Sequence, residues 1–117
     1  MPGERDKAYF WDMLDAALAV EEFVRGKTYE EYLSNRMMRG AVERHIEIIG
    51  EAARRISEAT RKTYPEIPWR ALVGQRNVLA HEYDEVVNEA MWVVATRRVP
   101  ELIAVLRKVL PDEMENA

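Results

Sequence analysis

No cysteine occurs in the 117-residue chain, which excludes a disulfide framework, a thiolate metal site and a cysteine nucleophile. Two histidines, His45 and His81, leave little room for a histidine-based metal centre. Glycine and proline are scarce, five of each, and they stand at punctuation points rather than in runs. No apolar run approaches the roughly 20 residues that a membrane-spanning helix needs. The opening stretch MPGERDKAYF is charged where a secretory signal would be apolar, so a cytoplasmic protein is expected. There is no Gly-rich phosphate loop and no internal repeat, and neither a metal nor a cofactor is expected. What remains, 48% hydrophobic and 32% charged, reads as one globular domain spanning 1–117.

Charge is unevenly spread. Residues 1–35 carry 4 basic and 8 acidic side chains, residues 36–76 carry 9 and 5, and residues 77–117 carry 4 and 8. The net charge of −4 therefore hides a basic middle, and all but one of its cations are arginine. Arginine binds phosphate through two parallel hydrogen bonds, so this block is compatible with nucleic acid. Arg–Glu lacing of exposed helix faces is the commoner reason for such a composition.

The periodicity is helical throughout, with no stretch alternating at period two. Phe10, Met13, Ala17, Val20 and Val24 form one stripe over about 5–25, and Gly26 follows as a stop. Thr28 and Glu31 have the spacing of a capping box. Met38, Val42, His45, Ile49, Ala52, Ile56 and Ala59 advance by alternate fours and threes, which predicts one long helix over about 35–62. His45 in that seam reads as a hydrogen-bonded core residue. Tyr64 to Pro68 is a loop with two prolines, and Pro68 suits the first turn of a helix from Trp69 to about Ala80. His81 to Glu85 is a connector. Asn88 is the expected N-cap of a last helix to about Leu110, with its apolar face at Met91, Val94, Val99, Leu102, Leu106 and Val109 and a kink at Pro100. The fold class is an all-α bundle of four to five helices.

The chemistry is concentrated at Arg76, Asn77, His81 and Tyr83. A permanent cation, an imidazole and a phenol within eight residues are the groups a metal-independent ribonuclease needs. Geometry restricts one copy: on an ideal helix Arg76 and His81 point about 140° apart. They converge only if the helix ends between them or if two subunits share the site. The structural alternative has Arg76 bonding a carboxylate and His81 capping helix carbonyls. Glu82 lies between the motif residues, where it turns away, pairs with an arginine or favours the protonated imidazole. Glu43, Glu47 and Glu51 form an acidic stripe expected to pair with arginines such as Arg39, Arg54 and Arg55, or with one member orienting Arg76 or His81. Trp11, Trp69 and Trp92 suit packing better than base stacking. Arg97 and Arg98 suit a solvated face better than the rim of an RNA groove.

Arg76-x4-His81-x-Tyr83 resembles the R-x4-H-x-Y motif of HepT-like toxins in the HEPN superfamily. The flanking segments Ile48-Ile49-Gly50-Glu51-Ala52, Ile67-Pro68-Trp69, Asp84 and Pro100-Glu101-Leu102 are similar to that family too, so the resemblance runs from about 8 to 110. It implies an all-α homodimer whose paired motifs form an RNA-cleaving site at the subunit interface, without a metal. It also implies a toxin neutralised by a minimal nucleotidyltransferase antitoxin, which transfers AMP onto the motif tyrosine. Carried over, Arg76 and His81 are the catalytic pair, Asn77 supports them, and Tyr83 is the modified residue. The alternative is a non-catalytic helical module that docks a nucleotidyltransferase and senses nucleotides.

Overall fold

The stripe of Phe10, Met13, Ala17, Val20 and Val24 becomes the buried face of helix α1 (Glu4–Val24). The structure, a computed structural model, describes residues 3–110; Met1, Pro2 and the acidic tail 111–117 lie outside them. Gly26 ends α1 with a φ of +72°, a conformation glycine adopts without a steric penalty. Thr28 then opens α2 (Tyr29–Ser34). Its hydroxyl accepts from the Glu31 amide at 3.1 Å, and Glu31 Oε1 accepts from the Thr28 amide at 3.0 Å. Asn35 caps α3 (Arg36–Arg55) by accepting from the Met38 amide.

The single helix expected over about 35–62 is two. The chain leaves helical geometry at Ile56 and Ser57, and α4 (Glu58–Thr63) starts anew. The cause is distant in sequence. Asp6, at the start of α1, accepts from the Ser57 amide at 3.0 Å, the Ser57 hydroxyl at 2.7 Å and the Thr60 hydroxyl at 2.6 Å. These bonds compete with helix continuation. Burial pushes the Asp6 carboxyl up, but the bonds from Thr60 and Ser57 outweigh it and hold the group below its ordinary value. Ile56 stays buried, whereas Ala59 falls off the seam and is exposed. His45 is half-buried, its Nδ1 2.8 Å from the Ala41 carbonyl and its ring against Phe23.

Because Asp6 meets Ser57, α1 and α3 run antiparallel as the central pair. The Tyr64–Pro68 loop closes over their end. Ile67 is buried there, and Trp69 Nε1 donates to the carbonyls of Arg61 and Tyr64 while its ring meets Phe10. Pro68 sits at the N-cap of α5 (Trp69–His81), one position earlier than expected. α5 packs on α3.

The last rod is α6 (Asn88–Val93), a π-helical turn Val94–Arg98, and α7 (Val99–Val109), joined without a break. Asn88 is its first helical residue rather than its cap, which is Val87. The π turn explains the step of five from Val94 to Val99, because the wider turn returns Val99 to the buried side. It also accommodates Pro100, whose ring and missing N–H are incompatible with a regular ladder there. α7 packs on α1, and α2 supports α6 through Tyr29 and Tyr32 against Trp92. The result is an all-α bundle of four long rods and two short helices, with no strand among the described residues. Trp69 and Trp92 pack within it and Trp11 lies against its core, as the packing reading requires. No helix among the described residues is long and apolar enough to cross a membrane.

Candidate active site

α5 buries Leu72 and Leu79, and Arg76 stands on the same stripe between them, facing α3. A guanidinium in that position needs room and a counter-charge, and two consecutive residues of α3 supply them. A Cβ on Gly50 would lie 2.3 Å from Arg76 Cβ and 2.5 Å from the Leu72 carbonyl oxygen, so the close approach of the helices depends on glycine. Glu51 places Oε2 2.8 Å from Arg76 Nε, an ion-pair contact rather than an aligned hydrogen bond. Its Oε1 accepts from Arg54 at 2.9 Å and Arg55 at 3.0 Å. The bond from Arg54 leads the effects that outweigh burial, joined by the bond from Arg55 and the Arg76 charge, and the Glu51 carboxyl is held at about 2.

The far side of the same guanidinium meets the rest of the motif. Arg76 Nη1 donates to Asn77 Oδ1 at 3.1 Å and lies 3.5 Å from His81 Nε2. Arginine has only donors, so any hydrogen bond in this contact is accepted by an Nε2 lone pair. The expectation that Arg76 and His81 need a helix end between them, or a second subunit, is corrected here. α5 continues through His81, and the pair meets because the long arginine side chain reaches towards the C-terminal end of its own helix. Arg76 also satisfies the carboxylate reading through Glu51. His81, in contrast, hydrogen-bonds no helix carbonyl among the described residues, and its side chain is exposed at the last position of α5.

Tyr83 belongs to a different contact. It opens a 3-10 turn, Tyr83–Glu85, and the residue is 61% exposed, yet its hydroxyl donates to Glu43 Oε1 at 2.6 Å. That hydrogen bond, with partial burial and the Glu43 charge, raises the phenol above its ordinary value. Glu43 itself is only 7% exposed. The acidic stripe therefore divides. Glu51 takes Arg54 and Arg55 as expected and also orients Arg76, Glu47 pairs with Arg44 at 3.5 Å, and Glu43 turns inward to Tyr83. Arg39 does not pair with Glu43 but donates to the Leu33 carbonyl. Glu82 is exposed. Arg98 pairs with Glu101 on the surface, in keeping with a solvated face.

Two depressions flank α5. A cleft of about 340 Å³ has Glu51 and Arg76 in its wall together with Arg44, Glu47 and Arg55. A larger apolar groove of about 720 Å³ separates α5 from the α6–α7 rod, with Ile46 and Ile49 as its floor. Among the described residues, no group of three His, Asp or Glu side chains is placed to hold a metal ion. The residues that sequence reasoning undervalued are Gly50 and Glu43. A glycine inside a strongly periodic helix was the available signal for a close approach; nothing local marked Glu43.

A family model described as Ribonuclease HepT-like matches residues 13–109. Among similar proteins, "Putative RNase MJ1380" of Methanocaldococcus jannaschii is 40% identical over 96 residues, covering 82% of this chain and 88% of its own. "Putative RNase MJ0125" of the same organism is 34% identical over 116 residues, 99% of this chain and 100% of its own. "Probable ribonuclease HepT" of Thermococcus cleftensis is 35% identical over 96 residues, 82% of this chain and 87% of its own. No solved structure matches significantly. With the family model spanning most of the chain and relatives of this identity over nearly their whole lengths, the chain belongs to the Ribonuclease HepT-like family.

Proposed function

We propose that this helical domain is a metal-independent endoribonuclease toxin with Arg76 and His81 as its catalytic pair. The observation that carries the reading is the 3.5 Å approach of the Arg76 guanidinium to the exposed His81 imidazole. With RNA bound, the His81 imidazole exchanges its Arg76 contact for an RNA 2′-hydroxyl and takes its proton, and the hydroxyl oxygen attacks the adjacent phosphorus. Arg76, oriented by Glu51 and Asn77, stabilises the charge that develops on the phosphorane oxygens. The bond to the 5′-oxygen breaks, and that oxygen needs a proton, leaving a 2′,3′-cyclic phosphate and a 5′-hydroxyl.

The second proton carrier is the His81 of a second copy. The apolar groove beside α5, with exposed Ala71 on one side and exposed Ala90 and Val93 on the other, is a face suited to a two-fold partner. In this reading the toxin is silenced by a minimal nucleotidyltransferase that transfers AMP from ATP to Tyr83. The tyrosine oxygen bonds the α-phosphorus, pyrophosphate leaves, and the added phosphodiester repels RNA beside Arg76.

Purified protein incubated with RNA in EDTA tests the catalytic reading. Arg76→Ala and His81→Ala are each expected to lower the rate by about 10²–10⁴-fold while circular dichroism stays helical. Full cleavage by the double variant refutes the assignment. Co-expression with the cognate nucleotidyltransferase is expected to add AMP units, mapped by peptide sequencing to Tyr83. A fully neutralised but unmodified chain refutes that part.

A further inference from the structure

Glu43 is a carboxylate with 7% exposure, and among the described residues its hydrogen-bond partner is a single side chain, Tyr83. The bond is short, 2.6 Å, and links α3 to the turn that begins two residues after His81. Glu51, eight residues further along α3, holds Arg76 at 2.8 Å. The two glutamates are about 12 Å apart along the helix axis, and the residues they hold are seven positions apart on the antiparallel α5 and its turn. α3 therefore grips the motif at both ends, and the Arg76–His81 contact lies between the two grips.

We propose that Glu43 is a positioning residue: through the Tyr83 hydroxyl it fixes the turn after His81 and so keeps the imidazole against Arg76. This rests on the ribonuclease reading of Arg76 and His81. The rest of the turn is weakly secured. Its own bonds are the short backbone contacts Glu85 to Glu82 and Val86 to Tyr83, and its side chains from Glu82 to Glu85 are exposed. Arg36 and Arg39 supply positive charge near the phenol, but among the described residues the Tyr83 hydroxyl is the only donor to the carboxylate. Losing that donor strands a buried anion and frees the turn together. Any group esterified to the Tyr83 oxygen removes the same proton, so modification releases the turn as well as adding bulk to the site.

The test uses the full chain and three variants: Tyr83→Phe, Glu43→Ala and Glu43→Gln. Hydrogen exchange is measured for the amides of 82–86 and for α1, and RNA cleavage is measured as separate kcat and KM. Tyr83→Phe and Glu43→Ala are expected to speed exchange across 82–86 by at least about ten-fold while α1 is unchanged. They are expected to lower kcat about 10- to 100-fold with KM within about three-fold, the signature of displaced rather than missing groups. Glu43→Gln keeps an acceptor oxygen and is expected to recover kcat to within about three-fold of the parent. Parental exchange in Tyr83→Phe overturns the proposal, and so does faster exchange with parental kcat. If the parent chain itself fails to cleave RNA, the ribonuclease reading falls, while the exchange data still decide whether Glu43 holds the turn. Should Glu43→Ala fail to fold, Tyr83→Phe and Glu43→Gln carry the comparison.

Discussion

Replacing Gly50 by alanine isolates the contact on which the site is built. The new methyl group would start 2.3 Å from Arg76 Cβ and 2.5 Å from the Leu72 carbonyl oxygen. Non-bonded carbon contacts settle at about 3.5–4.0 Å, and both obstacles are anchored to the backbone of α5, so the helix itself must retreat by about 1 Å. Two effects oppose each other. Alanine in a helix interior is favoured over glycine by about 1 kcal/mol, and overpacking of this kind costs about 1–3 kcal/mol. Gly40, also in α3 but with nothing within 4 Å of its notional Cβ, experiences only the first effect. The difference between Gly50→Ala and Gly40→Ala therefore reports the clash alone. At about 4 °C per kcal/mol for a domain of this size, Gly50→Ala is expected to melt about 4–12 °C below Gly40→Ala. Activity should suffer more than stability, because a displacement of about 1 Å at reacting groups costs about 100-fold in rate. Thermal melts at matched protein concentration, with cleavage assayed at 25 °C, read both quantities. Two variants that melt together and cleave alike would refute the close approach of α3 and α5.

Three further outcomes follow from the same contacts. The Glu51 carboxyl is held at about 2 against an ordinary 4.5, so its contribution, about 1 kcal/mol once solvent screening is allowed for, is complete above about pH 5 and disappears as pH falls towards 2. Urea midpoints should be level from about pH 7 to 5 and fall below that, Asp6 adding in the same direction, and Glu51→Gln should be weaker at neutral pH with a shallower acid slope; a slope parallel to the parent's contradicts the ion-pair assignment. Val93→Asp, in the wall of the apolar groove, is expected to convert a dimer to a monomer in light scattering and to abolish cleavage without unfolding, whereas an unchanged mass places the interface elsewhere. Asp6→Ala removes the acceptor for Ser57 and Thr60 and should cost about 1–3 kcal/mol of stability while leaving kcat within about two-fold, since its partners lie at the start of α4 and it bonds none of Arg76, Asn77, His81 and Tyr83.

Features set by neighbours in sequence were legible before the fold was known. The α1 stripe, the Thr28–Glu31 capping box, the Tyr64–Pro68 loop and the bounds of α5 depend on residues within a turn or two, and each appears where periodicity placed it. The break after Arg55 was hidden because its cause, Asp6, lies 51 residues from Ser57. Pro100 announced an irregularity but not its kind, and the step of five between Val94 and Val99 was the sign of a π turn.

The candidate site shows the same division more sharply. Which residues carry chemistry was readable from the motif, but how they meet was not, because ideal side-chain directions describe Cβ vectors and not the reach of a guanidinium. An arginine long enough to contact Glu51 from Nε and His81 from Nη1 erases an angular separation of about 140°. The acidic stripe was ambiguous for a related reason. Residues four apart on one helix look equivalent until a second helix is laid against them, and then register decides. Gly50 sets how closely α5 approaches, that approach aligns Glu51 with Arg76, and two turns further back it leaves Glu43 facing Tyr83. Register against α5 thus gives Glu51 and Glu43 different partners while Glu47 stays with Arg44 on its own helix, so the geometry of the motif is encoded on α3 as much as on α5.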